Sequence, residues 1–131
     1  MQQLLRLADD LGIRIVERGG PTPGGFQPVT RTIRLAPGMS RRTTRSILAH
    51  ELGHAHLGHQ PTREAALRAR QERQADEWAA ARLITPTAYA AAEQLRGPHP
   101  PSIAFELDVT IEVVLAFQRL LLRQRGPASA A

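Results

Sequence analysis

The sequence predicts an α+β fold, in which a small N-terminal antiparallel sheet packs on a helical body. Two observations support this fold class. Apolar and polar residues alternate over residues 13–17 and 31–35, as in half-buried strands. From Ser40 onward the apolar residues recur at helical spacing instead. The strands therefore precede the helices along the chain, apart from one N-terminal helix.

The length and composition indicate a single domain. A chain of 131 residues is long enough for one hydrophobic core and too short for two. We expect the domain over residues 1–125 and a disordered tail over residues 126–131. The chain has no cysteine, which excludes disulfides and thiolate metal ligands. There is neither an apolar stretch of the roughly 18 residues that span a membrane nor a signal peptide, so we expect a cytoplasmic protein.

The charge favours an acidic partner over nucleic acid. The formal net charge is +5, and all 17 basic residues are arginine. These arginines are scattered along the chain, and only Arg41, Arg42 and Arg45 form a cluster. Direct nucleic-acid binding usually needs a basic stripe on one face. We therefore expect no direct binding to nucleic acid and no membrane association.

The first elements follow from local patterns. Apolar residues at helical spacing predict a helix over residues 2–11, which Gly12 ends. A strand over residues 13–17 leads into a loop rich in glycine and proline over residues 19–25. A second extended stretch is expected over residues 26–35, before a turn at residues 37–38.

Capping residues mark the helices that follow. Ser40 fits the N-cap of a helix that runs to about Leu57, where Gly58 stops it. Thr62 can cap the next helix, and Pro86 prevents that helix from continuing beyond about residue 84. The helices after the first capped one are expected over residues 62–84, 87–95, 102–107 and 110–123.

The most informative motif is His50-Glu51-Leu52-Gly53-His54. Residues four apart on a helix lie about 40° apart around its axis, so both imidazoles can point at one metal ion. Glu51 lies about 100° from His50, within reach of a water on that metal. Gly53 allows another element to pack closely.

A third ligand is needed, because catalytic zinc sites use three protein ligands and an open position. The pattern HExxHxxGxxH is excluded, since Leu57 and Gln60 occupy the positions of its glycine and third histidine. We expect His56 and His59 to be surface histidines or supports for the ligands. A second polarising group for catalysis is left open among these two, His99, Tyr89 and several arginines.

A carboxylate of the following helix is the better third ligand. Glu72 lies on the apolar face of that helix, and a carboxylate there needs a cation as partner. Asp76, one turn on, is placed to accept an N–H from a ligating histidine. Glu77 points elsewhere and is expected to be solvated, and Glu64 is a weaker rival for the ligand. The apolar face itself is marked by Ala75, Ala79 and Leu83.

These two motifs resemble the ImmA/IrrE family of small metallopeptidases. The family pairs an HExGH helix with a later helix of the form E-x-x-A-[ND]-x-[FW]-A-x-x-L-x-x-P. Residues 72–79 match the second pattern, although Leu83 falls one position later than the pattern has it. The resemblance covers about residues 12–90 and is thin from Gly97 onward. It implies a zincin-like fold for the helical body.

The resemblance also implies a site and a function. His50, His54 and Glu72 would hold one Zn²⁺ per chain, and Glu51 would be the catalytic base. Members of the family cleave or inactivate helix-turn-helix transcriptional repressors, often of phages, other mobile elements or stress regulons. The expected function is therefore a zinc metallo-endopeptidase whose partner and substrate is a repressor.

Two alternatives remain. A zincin-like fold can retain its metal and inactivate a repressor by binding alone, as an antirepressor. The segment over residues 104–114 also resembles a helix-turn-helix, but its second helix has few side chains that could read bases and carries the acidic Glu112. We interpret that segment as core packing.

Overall fold

The computed structural model describes residues 1–130 of the chain, with side chains as far as Arg125. The fold is α+β, as predicted. The tail predicted over residues 126–131 falls on residues without described side chains and on residue 131, outside the described residues, so it stays a prediction. In chain order the elements are α1 (Gln2–Asp10), β1 (Arg14–Glu17), β2 (Gly24–Gln27), β3 (Thr32–Leu35), α2 (Arg41–His56), α3 (Ala65–Leu83), α4 (Pro86–Arg96), α5 (Pro100–Leu107) and α6 (Ile111–Ala130).

The sheet is mixed, so the prediction of an antiparallel sheet was wrong in part. The strand order is β1-β3-β2, with β1 parallel and β2 antiparallel to β3. The stretch over residues 26–35, expected as one extended segment, reverses at a turn in which Arg31 N–H donates to Pro28 O. Arg31 adopts a left-handed φ of 49° there. The reversal carries β3 back between the other two strands, which makes β2 an edge strand.

The ends of the central helices follow the expected caps with one exception. Ser40 caps α2 by accepting from Thr43 N–H at 3.2 Å, and Gly58 follows the helix at a φ of 69°. Thr62 does not cap α3, since its hydroxyl accepts from Glu64 N–H and Glu64 is the N-cap. The threonine closes a turn ahead of the helix, which starts three residues later than expected.

The buried apolar side chains form two clusters. The first joins α1, the sheet and α2 through residues such as Ile33, Leu48 and Leu52. The second joins α4, α5 and α6. The segment over residues 104–114 belongs to the second cluster, with Val109 and Val114 fully buried, as its core interpretation requires. Among the described helices, none is both long enough and apolar enough to cross a membrane.

Helix α3 lies between the two clusters. Ala79 belongs to the first cluster and Ala80 to the second. Glu77 of α3 forms salt bridges to Arg119, at 3.1 Å, and to Arg123, both on α6. The prediction that Glu77 is solvated was therefore wrong, because α6 folds back across α3 and leaves its side chain only 12% exposed. Hydrogen bonds from Arg123 and Arg119 hold the pKa of Glu77 below its ordinary value.

Candidate metal centre

The site is formed by α2 and α3, which bring the two motifs together. His50 Nε2 lies 3.1 Å from His54 Nε2. The Glu72 carboxylate spans both imidazoles, at 2.9 Å from His50 Nε2 and 3.2 Å from His54 Nε2. Glu72 is 54% exposed, so it lies at the open side of the site and not on a buried face. The three side chains nevertheless converge at one point.

Gly53 explains how α3 comes so close to α2. A Cβ at this position would lie 3.1 Å from the carbonyl oxygen of Ala75 and 3.2 Å from its Cα. The backbone of α3 therefore packs directly on Gly53, as expected from the motif. Glu72 and Asp76 lie four residues apart on one face of α3 and close to Ala75 along the chain, so this contact brings both carboxylates to the histidines.

Asp76 orients the first histidine. His50 Nδ1 donates to Asp76 Oδ1 at 2.7 Å, which leaves His50 Nε2 directed at the site. Burial lowers the pKa of His50, but hydrogen bonds to the carboxylates of Asp76 and Glu72 outweigh it and raise the pKa to about 10. Hydrogen bonds from the two histidines hold the pKa of Glu72 well below its usual range. The carboxylates of Glu72 and Asp76 thus favour a positive charge beside His50.

His59 orients the second histidine. His59 Nε2 donates to Gln74 Oε1 at 2.8 Å, so its Nδ1 is free to accept from His54 Nδ1–H at 2.9 Å. The lone pair of His54 Nε2 is then directed at the site. The sequence identified His59 as a surface or supporting residue but did not identify Gln74, because no local pattern links Gln74 to the motif. His56 faces elsewhere, with its ring 5.4 Å from that of Trp78.

The donor set fits a small divalent cation. A four-coordinate zinc ion with bonds of about 2.0–2.1 Å holds its ligand atoms about 3.3 Å apart. The two imidazole nitrogens lie 3.1 Å apart, and each has a different Glu72 oxygen nearby, Oε2 at 2.9 Å from His50 and Oε1 at 3.2 Å from His54. Two imidazole nitrogens and a carboxylate suit zinc and related transition metals.

Glu51 is the buried acid of the site. It is 7% exposed, and its carboxylate lies within 4.8 Å of ligand atoms of His50 and His54. Burial raises the pKa of Glu51, while the two imidazoles oppose the rise. A carboxyl group with a raised pKa can both accept and return a proton near neutrality. Although Glu51 shares a metal-sized cluster with the histidines, Glu72 makes the shorter contacts to both of them.

A sequence profile of a peptidase family, described as the IrrE N-terminal-like domain, matches residues 8–117. The chain belongs to the ImmA/IrrE family. The match covers both motifs of the site and extends through α5 into α6, beyond the part where the motifs had indicated the resemblance. No curated protein matches the chain.

In this ImmA/IrrE domain the candidate metal centre lies in an open cleft of about 880 Å³. One wall of the cleft is formed by β2 and the residues before it. In that wall, position 24 must be glycine because there is no room for a side chain. A Cβ on Gly24 would lie 2.6 Å from Ile47 Cγ2 and 3.5 Å from Glu51 Oε2. The opposite wall includes Glu72 and Asp76 of α3. No local pattern sets Gly24 apart in the sequence, because it lies in a run of loop-forming residues.

Some of the candidates for a second polarising group line the cleft and others do not. His59 and Arg68 line the cleft of this ImmA/IrrE domain. Tyr89 is buried in the C-terminal cluster, where it accepts from Gln118, and His99 contacts Ser102. Neither Tyr89 nor His99 lines the cleft.

Proposed function

We propose that this protein is a zinc-dependent metallo-endopeptidase that cleaves a helix-turn-helix transcriptional repressor or a related regulatory protein. The observation that carries the proposal is the convergence of His50, His54 and Glu72 beside the buried Glu51. Membership of the metallopeptidase family supports the reaction class. The repressor as substrate rests on the resemblance of both motifs to the ImmA/IrrE family.

His50, His54 and Glu72 would hold the zinc ion, with Asp76 and His59 fixing the two rings. The ion supplies Lewis acidity for a water and for the scissile carbonyl. Glu51 accepts a proton from the attacking water and passes it to the leaving amine. Its burial and raised pKa suit this double role.

The cleft suits a peptide in extended conformation. Strand β2 is an edge strand, so one side of its backbone offers hydrogen-bonding groups to a further strand. Its residues Gly24 and Gly25 line the cleft together with Glu51. Because the cleft is open, a segment bound along β2 could extend beyond the site in both directions. The peptide bond at the metal site would then lie in the interior of the substrate chain, which favours an endopeptidase.

The test of the metal site is the metal content of purified protein by elemental mass spectrometry. We expect about one zinc per wild-type chain and a large loss in Glu72→Ala. Glu64→Ala is the matched control, because Glu64 belongs to the same segment and does not line the cleft. Wild-type protein that takes up no zinc after reconstitution would contradict the proposal, and so would equal losses in the two variants.

The test of the chemistry is Glu51→Gln, incubated with a candidate repressor whose fragments are followed by mass spectrometry. We expect cleavage to fall by about 10²–10⁴-fold while zinc is retained. Retained cleavage would show that Glu51 is not the base. If the variant still inactivates the repressor without cutting it, the non-catalytic antirepressor is the correct function.

A further inference from the structure

The outer face of the sheet carries a cluster of arginines that the metal centre does not use. We call the surface formed by Arg14, Arg18 and Arg34 the arginine face. These three side chains line a groove of about 490 Å³ on the sheet. The other polar side chains of the groove are uncharged, namely Gln27, Thr30 and Thr32.

The positive charge of this face is not neutralised locally. No aspartate or glutamate in the described part of the chain lines the groove. Among the salt bridges of the described residues, none involves Arg14, Arg18 or Arg34. Arg34 donates to the carbonyl oxygens of Arg18 and Thr22, at 3.0 and 2.7 Å. Those bonds hold its guanidinium in place without a salt bridge, whereas Arg14 and Arg18 are exposed.

The spacing of the arginines suits a short extended chain. Arg14 and Arg18 are four residues apart along β1 and its end, which is about 13 Å on one side of a strand. Arg34 on β3 is in register with Val16, midway between them. Guanidinium groups at this spacing match carboxylates placed two to four residues apart on an extended acidic segment. Arg14 and Arg18 can each bind a carboxylate in bidentate fashion. Arg34 adds positive charge between them, since its terminal nitrogens already donate to Arg18 O, Thr22 O and Thr22 Oγ1.

The arginine face is continuous with the metal-centre cleft. Gly25 and Phe26 of β2 line both the groove and the cleft. A polypeptide that leaves the cleft across β2 therefore passes directly onto the arginine face.

We propose that the arginine face binds an acidic segment of the protein substrate, next to the segment held at the metal centre. This inference rests on the proposed endopeptidase function and adds a substrate class to it. A nucleic acid fits less well, because three arginines neutralise only about three phosphates, fewer than the roughly six to ten contacts of tight salt-dependent DNA binding.

The experiment measures binding of a fluorescein-labelled octaglutamate peptide by anisotropy, at about 150 mM salt, to the full chain. We expect Arg14→Gln/Arg18→Gln to weaken binding about ten-fold. The control is Arg6→Gln/Arg70→Gln, which also removes two exposed arginines from the net charge of +5. The control should bind within about two-fold of wild type. Circular dichroism and zinc content establish that both variants are folded.

Each contrary outcome is informative. Equal weakening in both double variants would overturn the proposal, because binding would then follow net charge alone. Octathymidylate that binds more tightly than octaglutamate, through the same two arginines, would make the face a nucleic-acid site and also overturn it. Octaglutamate binding that depends on Arg14 and Arg18 in a protein without peptidase activity would overturn the endopeptidase and leave the acidic-segment surface. Peptidase activity with no such dependence would overturn the surface alone.

Discussion

The region around the metal centre and the C-terminal helical region are stabilised in different ways. Around the candidate metal centre, neighbouring elements approach closely at Gly24 and Gly53, and polar side chains hold each other in place. In the C-terminal region, α4, α5 and α6 pack through apolar volume, with Ile103 and Val114 fully buried. The packing of the first region is sensitive to changes of a few tenths of an ångström in these contact distances. The stability of the second region depends on how much apolar surface it removes from water.

The two regions contact opposite sides of α3 and therefore have different roles. The C-terminal region supports α3 from behind, through Ala80 and the Glu77 salt bridges. The front of α3 then presents Glu72 and Asp76 to the histidines. Mutations in the C-terminal cluster should therefore act on stability, and mutations at the front of α3 should act on metal binding.

The largest effect is expected in the C-terminal region, from Phe117→Ala. Phe117 is 4% exposed and its ring lies 5.0 Å from that of Tyr89, so truncation should lower the free energy of unfolding by about 3–5 kcal/mol. Urea denaturation measures this, with Phe105→Ala, whose side chain is 68% exposed, as a control near zero. Zinc affinity of folded protein should not change, and a parallel fall in affinity would contradict the division between the two regions.

Gly53→Ala tests the close approach of the two site helices. Alanine in a helix interior is usually about 1 kcal/mol more favourable than glycine, yet here its Cβ would lie 3.1 Å from the Ala75 carbonyl. We expect a net destabilisation of about 1–3 kcal/mol together with weaker zinc binding, measured by urea denaturation and competition with a chelator. Gly19→Ala, with no atom within 4 Å of the new Cβ, is the control. If Gly53→Ala were more stable than wild type, α3 could move away from α2 without lowering the free energy of unfolding.

His59→Ala tests the orientation of the second histidine. Removing the acceptor for His54 Nδ1–H should weaken zinc affinity about 10–100-fold with little change in stability. His56→Ala is a matched control, since His56 is near the same helix end but packs on Trp78. The absorption spectrum of Co²⁺-substituted protein should change in His59→Ala alone. Identical zinc affinities in the two variants would show that His59 does not support the metal site.

Glu77→Gln should have the smallest effect. We expect a loss of about 1 kcal/mol in the free energy of unfolding near neutral pH, limited by solvent screening of the exposed guanidinium groups. Because the pKa of Glu77 is lowered in the folded state, its stabilisation is present above the ordinary value of 4.5 and is lost as the pH falls through the folded-state pKa. The gap between wild type and Glu77→Gln should therefore close in acid, in urea denaturation repeated at several pH values. A gap independent of pH would mean that the carboxylate charge does not stabilise the fold.

Local patterns predicted much of the site and of the helical body. The spacing of His50 and His54 depends only on helix geometry, and the position of Glu72 on the next helix depends on the same period. The caps at Ser40 and Gly58 were predicted for the same reason, since capping involves neighbours within a few residues. The general α+β class followed from the change of apolar period along the chain.

Where sequence interpretation failed, the deciding contacts join residues that are distant in the chain. Glu77 was expected in solvent, and it is paired because α6 returns across α3. The parallel pairing of β1 with β3 depends on a turn that reverses an apparently continuous strand. Gln74 reaches His59 only after α2 and α3 have packed together.

The sequence by itself thus determined the two motifs of the candidate site, the helical spacing of His50 and His54, and the family of the domain, because these depend on neighbours three or four positions apart. Only the tertiary structure decided the strand order, the exposure of Glu72, the Gly24 wall of the cleft and the continuity of the arginine face with it. The physical reason is that these features arise where separate elements meet, at distances set by close packing of backbones and side chains.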